Sequence, residues 1–210
     1  VARAPSHAQA LAFVHAVNLT VGDVPEASVE AKRRLSETVS ERHEEQACER
    51  RPGWGHPHTL AEASSPKLKR GQELEIERIT SSVAVLSDER AVVRQFALLA
   101  TPAVRKCLAR VLTHNLDDKQ ISNARWAHVA VTRLPVRAPG AAATFGIRVV
   151  ATLEIPFNEV AVPIYVDELG FAIGRAGVEL STISVTQPVP ATTERELLAL
   201  LLARAHAQPL

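Results

Sequence analysis

Apolar and polar positions alternate most regularly from Thr144 to Ala207. FGIRVVATLEI, EVAVPIYVDELGFAIG and GVELSTISV read as strands, and TERELLALLLARAHA reads as a helix. Turn signals separate the runs, and the leucines at 197, 198, 201 and 202 repeat at helical spacing, so they need a sheet to cover. Thr193 and Glu196 fit a capping box at the start of that helix. VAVPIYVDELGFAIG is long for one flat strand. Gly170 is therefore read as a bulge that bends it, in preference to a hairpin at 167–170, because GRAG at 174–177 is the better turn.

The preceding residues read as helices and shorter strands packed on this sheet. Ser6 caps a helix with Ala10, Phe13, Val14 and Val17 on one face, and NLTVGDVP follows as a strand-to-turn segment. A charged helix with Leu35, Val39 and Ala47 spans about 36–49, up to the loop RRPGWGHPH. TLAEAS is a short edge strand stopped at Ser65-Pro66. ELEIERITSSVAVL carries two alternations, Leu74 with Ile76 and Val83 with Val85, as a strand pair or one long bent strand. Asp88, with Ser87, caps a helix bearing Val92, Phe96 and Leu99, and Thr101-Pro102 starts another bearing Val104, Cys107, Leu108, Val111 and Leu112. In SNARWAHVAVTRLPV, Ala127, Val129 and Val131 share one face, while Trp126, His128, Ala130 and Thr132 share the other.

Strands joined by hairpin-length links outnumber parallel crossovers. The predicted class is therefore α+β: an antiparallel sheet flanked by helices, closing with a three-strand meander and a helix. One domain over residues 1–210 is expected, with a helix and extended segment in 1–35 and the sandwich core in 36–210.

Composition narrows the function only by exclusion. A formal net charge of +1 gives no reason to expect nucleic acid as a partner. No run approaches the roughly 18 apolar residues of a membrane-spanning helix. No long apolar core follows Val1–Ser6, so no export signal is visible. The chain starts at Val and contains no Met, so Val1 is either a processed end or an alternative start, and the missing signal does not argue for the cytosol.

Cys48 and Cys107 allow either a disulfide closing a loop of about 60 residues or two separate reduced thiols. Their spacing does not suit zinc, and no metal site or cofactor is expected. His56 and His58, with His43 upstream, are better read as loop histidines than as ligands, since Pro57 divides them. Asp167 and Glu168 are adjacent on a strand and point to opposite faces, so together they cannot serve one substrate; Asp117-Asp118 ends a helix. Nucleophile-elbow and phosphate-loop patterns are absent. Phe13, Phe96, Trp126, Phe145 and Phe171 read as core. Trp54, on a glycine-flanked loop, is the candidate contact residue, with His56 and His58 beside it.

AVNLTVGDVP, a Cys on the first long helix, SSP followed by SSVAVLSD, and a second Cys in the paired helices form one set with YVDELGF and PATTERELLALLLARA. Over about residues 8–207 this set resembles a group of exported actinobacterial proteins and lipoproteins. More distantly it is similar to LpqN-type lipoproteins and the PknH-type extracellular sensor domain, with a PsbP-like sandwich. The resemblance implies an exported or cell-envelope location, a Cys48–Cys107 disulfide and helices on both faces of an antiparallel sheet. It transfers no catalytic residues.

The expected function is a non-enzymatic binding domain for a protein, an envelope component or a small ligand. The alternatives are a carrier of a hydrophobic small molecule or lipid, and an enzyme with a dispersed site. A pocket with His128 or Asp167 beside a second titratable group would point to the last.

Overall fold

The computed structural model describes residues 5–30, 48, 58–72, 75–117, 124–155 and 160–210. Helix α1 (His7–Val17) starts at Ser6, whose side chain accepts from Gln9 N while the Gln9 side chain returns to the Ser6 backbone. Its buried residues are the predicted stripe, Ala10, Phe13, Val14 and Val17. The strand expected after it is instead a 3-10 turn, Val21–Asp23. Asp23 reaches back to Thr20 N at 2.6 Å, and this side-chain bond gives the backbone an alternative to a strand ladder.

Strands β1 (Ser28–Val29), β2 (Thr59–Ser64), β3 (Leu68–Arg70) and β4 (Glu77–Leu86) lead to helices α2 (Glu89–Leu99) and α3 (Pro102–Asp117). Strands β5 (Arg125–Arg133), β6 (Ala143–Ile155), β7 (Val160–Ile173) and β8 (Ala176–Val185) follow, and then helix α4 (Ala191–Ala207). All pairings are antiparallel, in the order β1-β3-β4-β8-β7-β6-β5, with β2 also on β4. The α+β class and the closing meander are those expected from the sequence. Of the two alternations read in that stretch, Val83 and Val85 lie on β4, whereas Ile76 falls just before the strand starts at Glu77 and Leu74 lies outside the described residues, so one strand over the whole stretch is not seen.

Each sheet face carries its own apolar layer, because successive strand side chains point to opposite sides. On one face, α1 and the leucines of α4 close over Ile79, Val83, Val85, Leu169, Phe171, Val178 and Leu180. On the other, α2 and α3 place Val92, Phe96, Leu99, Val104 and Leu108 against Leu86, Phe145, Ile147 and Ala172.

Three local expectations are corrected. No bulge occurs at Gly170: β7 pairs without a register shift with β6 and with β8. A Cβ there would lie 2.4 Å from Phe145 Cε1 and 2.9 Å from Phe96 Cε1, so the glycine makes room for aromatic rings and does not bend the strand. The turn is at Gly174-Arg175, as GRAG suggested, with Gly174 at φ +51.

On β5 the register shifts between Trp126 and His128. Ala127 is the extra residue, so Trp126 joins Val129 and Val131 on the side facing Leu153, Ala151 and Val149. The simple alternation of the sequence had put Trp126 on the opposite face from these valines.

Helix α4 begins at Ala191 with Pro190 as its cap and no side-chain cap bond, so the capping box at Thr193 and Glu196 does not form. The start lies earlier because Glu194 is turned inward with the leucines, which aligns the preceding residues as the first turn.

Candidate functional site

Strand register brings a charged cluster together at the middle of the sheet. Arg148 of β6 pairs with Asp167 of β7, and Asp167 with Thr182 of β8. Asp167 shares its face with Leu169 and Phe171, and Thr182 shares its face with Leu180 and Val178, so both point into the layer beneath α4. From above, Glu194 falls on the stripe that carries Leu197, Leu198, Leu201, Leu202 and Ala205.

Arg148 grips Asp167 with both arms, Nε to Oδ1 at 2.7 Å and Nη2 to Oδ2 at 2.5 Å. Its guanidinium carbon also lies 5.8 Å from the centre of the Tyr165 ring. Thr182 Oγ1 donates to Glu194 Oε1 at 3.0 Å. Asp167 is 1% exposed and Glu194 5% exposed, so water screens neither carboxyl.

The cluster holds two acids and one base. Burial pushes the Glu194 carboxyl up to about 8, and a hydrogen bond with Asp167 and the charge on Asp167 push the same way. Thr182 and Arg148 oppose this less strongly. The hydrogen bonds to Asp167 raise Arg148 above the ordinary arginine value. At neutral pH Glu194 is therefore the protonated acid, while Arg148 holds Asp167 through both arms.

The adjacent Glu168 points to the other face, where Ser181 Oγ donates to its Oε1 at 2.7 Å. The reading that Asp167 and Glu168 cannot act as a pair stands, because the second acid comes from α4. Asp167 does have a titratable neighbour in Glu194. Both carboxyls are nevertheless closed off and committed to internal partners. A signal for Glu194 was available: it sits at helical spacing on the leucine stripe, a position where an acid is seldom tolerated without partners.

Cys48 and Cys107 form a disulfide, with Cα atoms 5.6 Å apart. Cys48 is buried, and Cys107 is half-buried against the α2–α3 layer. Trp54, His56 and His43 lie outside the described residues. His58 is exposed at the foot of β2, where its carbonyl accepts from Ser87 N at 2.8 Å. His128 is exposed on β5, and Asp117 ends α3. Among the described residues no three metal-binding side chains cluster, and no helix is long and apolar enough to cross a membrane. Phe13, Phe96, Phe145 and Phe171 are core, as expected, whereas Trp126, read with them, is only half-buried on β5.

No family model matches the chain, and no curated protein sequence matches it. Among solved structures it is similar to the extracellular domain of PknH from Mycobacterium tuberculosis, at 9% identity and a TM-score of 0.33. That match covers 67% of this chain and 62% of the PknH domain, so the chain spans less than two thirds of its length. The PknH-type likeness thus has a weak structural counterpart. No family model or curated sequence supports the likeness to LpqN-type lipoproteins or PsbP-like sandwiches.

Proposed function

We propose that the protein is a non-enzymatic exported or envelope-associated binding domain, with its contact surface on the segment that carries Trp54, His56 and His58. The observation that carries this reading is the anchoring of that segment at both ends. Cys48 on one side is joined through the disulfide to Cys107 of α3. His58 on the other is hydrogen-bonded through its backbone to Ser87, just before α2. Fixing the ends of a loop lowers the entropy lost when it meets a partner, the usual reason for setting contact residues on a rigid scaffold. A disulfide persists in oxidising compartments, which supports export.

The state of the buried acids supports binding over chemistry. A general acid or base must come within hydrogen-bond reach of its substrate. Asp167 and Glu194, at 1% and 5% exposure, are spent on Arg148, Thr182 and each other.

Native mass spectrometry without reductant, on protein purified from its own source, tests the reading. The expected result is a chain two hydrogens light that carries a protein or envelope component, with that partner lost from Trp54→Ala. A partner retained by Trp54→Ala would remove the contact role. A small apolar molecule released on denaturation would make the protein a carrier instead. Alkylation of both cysteines in untreated, denatured protein would overturn the exported reading.

A further inference from the structure

We propose that Glu194, Asp167 and Arg148 form a proton-operated latch: one acidic proton holds the first turn of α4 on the sheet, and losing it lets that turn lift. Two carboxyls and one guanidinium share a site closed to water, so the site is neutral only while one carboxyl keeps its proton. Arg148 already neutralises Asp167 through two hydrogen bonds, and the proton therefore resides on Glu194. Ionised Glu194 would put a second negative charge against Asp167 in a dry site.

The latch acts locally because of what each turn of α4 buries. In the first turn Ala191 and Thr192 are exposed and Thr193 is half-buried, so Glu194 is its one buried side chain. The following turns are held independently by Leu197, Leu198, Leu201, Leu202 and Ala205, and near the end by Arg204 on Asp23. At the N-terminus Pro190 supplies no side-chain cap, and the next buried anchor, Val189, lies before the helix.

β6 contributes Arg148 and β7 contributes Asp167 and the half-buried Tyr165. β8 contributes the hydroxyls of Thr182 and Ser184, while Glu77, opposite Ser184 on β4, is bound to Arg70. Arg195 and Glu196 of α4 itself are exposed. A further observation favours opening. Ser184, two residues beyond Thr182 on the same face, is 3% exposed and its Oγ is buried without a partner among the described residues. Lifting the turn would hydrate that hydroxyl, which the closed state leaves unsatisfied.

Native-state hydrogen exchange of the whole chain from pH 5 to 9, corrected for the intrinsic rate, tests the latch. For the amides of residues 194–196 the opening constant should rise about tenfold per pH unit up to about pH 8 and then level off. Amides of residues 200–205 should not follow. In Glu194→Gln, whose amide mimics the protonated acid, the pH dependence should vanish. A flat profile in the unmodified protein, an equal slope in Glu194→Gln, or parallel loss along the whole helix would overturn the proposal. If the variant does not fold, a carbon NMR titration of Glu194 in the unmodified protein decides. A midpoint near 8 supports the latch, and one near 4.5 overturns it.

Discussion

Arg204 near the end of α4 holds Asp23 through both terminal nitrogens, at 2.8 and 2.7 Å, and its Nη1 also donates to the Asn18 carbonyl at 2.9 Å. The last helix is thereby joined to the turn after the first. Asn18 extends the connection inward: Ser81 Oγ donates to Asn18 Oδ1 at 2.7 Å and accepts from Leu19 N at 2.9 Å. A polar chain thus runs from α4 to the middle of β4.

Removing the guanidinium leaves a largely buried carboxylate and a carbonyl without their donor. Arg204→Met should cost about 2–3 kcal/mol in urea unfolding, within the range for a partly buried charge pair. Burial raises the Asp23 carboxyl, but its bonds with Arg204 and Thr20 outweigh that and hold it below 3.8. The variant should therefore also begin to lose stability at a higher pH on the acid side.

Stability should peak on the acid side of neutral, by linkage of opposite signs. The hydrogen bond from Arg78 outweighs burial and holds Glu30 below 4.5, and Asp23 is lowered as described. Both contributions are present above the ordinary carboxylate values and are lost as pH falls through the lowered ones. Glu194 is raised from 4.5 to about 8, so its folded form binds a proton that the unfolded chain has released. That contribution is complete below 4.5 and is lost as pH rises towards 8. Thermal unfolding should show a higher midpoint at pH 5 than at pH 8. Glu194→Gln should match the unmodified protein at pH 5 and exceed it at pH 8 by an amount on the order of 3 kcal/mol.

Phe96 and Phe145 meet edge to face, with centroids 5.1 Å apart and planes at 73°, over two glycines. A Cβ at Gly177 would stand 2.8 Å from Phe96 Cε2, and the one at Gly170 is blocked by both rings. Gly170→Ala should cost about 1–3 kcal/mol by overpacking. Gly170→Ala with Phe145→Leu should cost less than the sum of the two, because the nearest obstruction is gone. A double-mutant cycle in denaturant measures the difference.

The disulfide closes a separation of 59 residues, for which the chain-entropy relation gives about 4 kcal/mol. Replacing both cysteines by serine should lower stability by about that amount. Thiol titration of the unreduced, denatured chain should find no free sulfhydryl.

The chain itself determined those features that depend on neighbours in sequence. Ser6 and Asp88 cap their helices, Gly174 turns the β7–β8 hairpin, and the alternation from Phe145 to Val185 makes the meander. These rest on local hydrogen bonds and on burying one side of an element, both visible within a few residues. Gly170 shows where that reach ends: local rules read a bulge, but two aromatic rings distant in sequence give the glycine its purpose. Trp126 changed faces because of one extra residue on β5, and nothing in the strand's own pattern marks Ala127 as that residue. The acid cluster is the clearest case. Asp167 and Arg148 meet through strand register, and Glu194 joins them because α4 folds back over β7 and β8. Register and helix placement arise from packing the whole chain, so only the tertiary structure decided that two separate acids would be buried together beside one arginine.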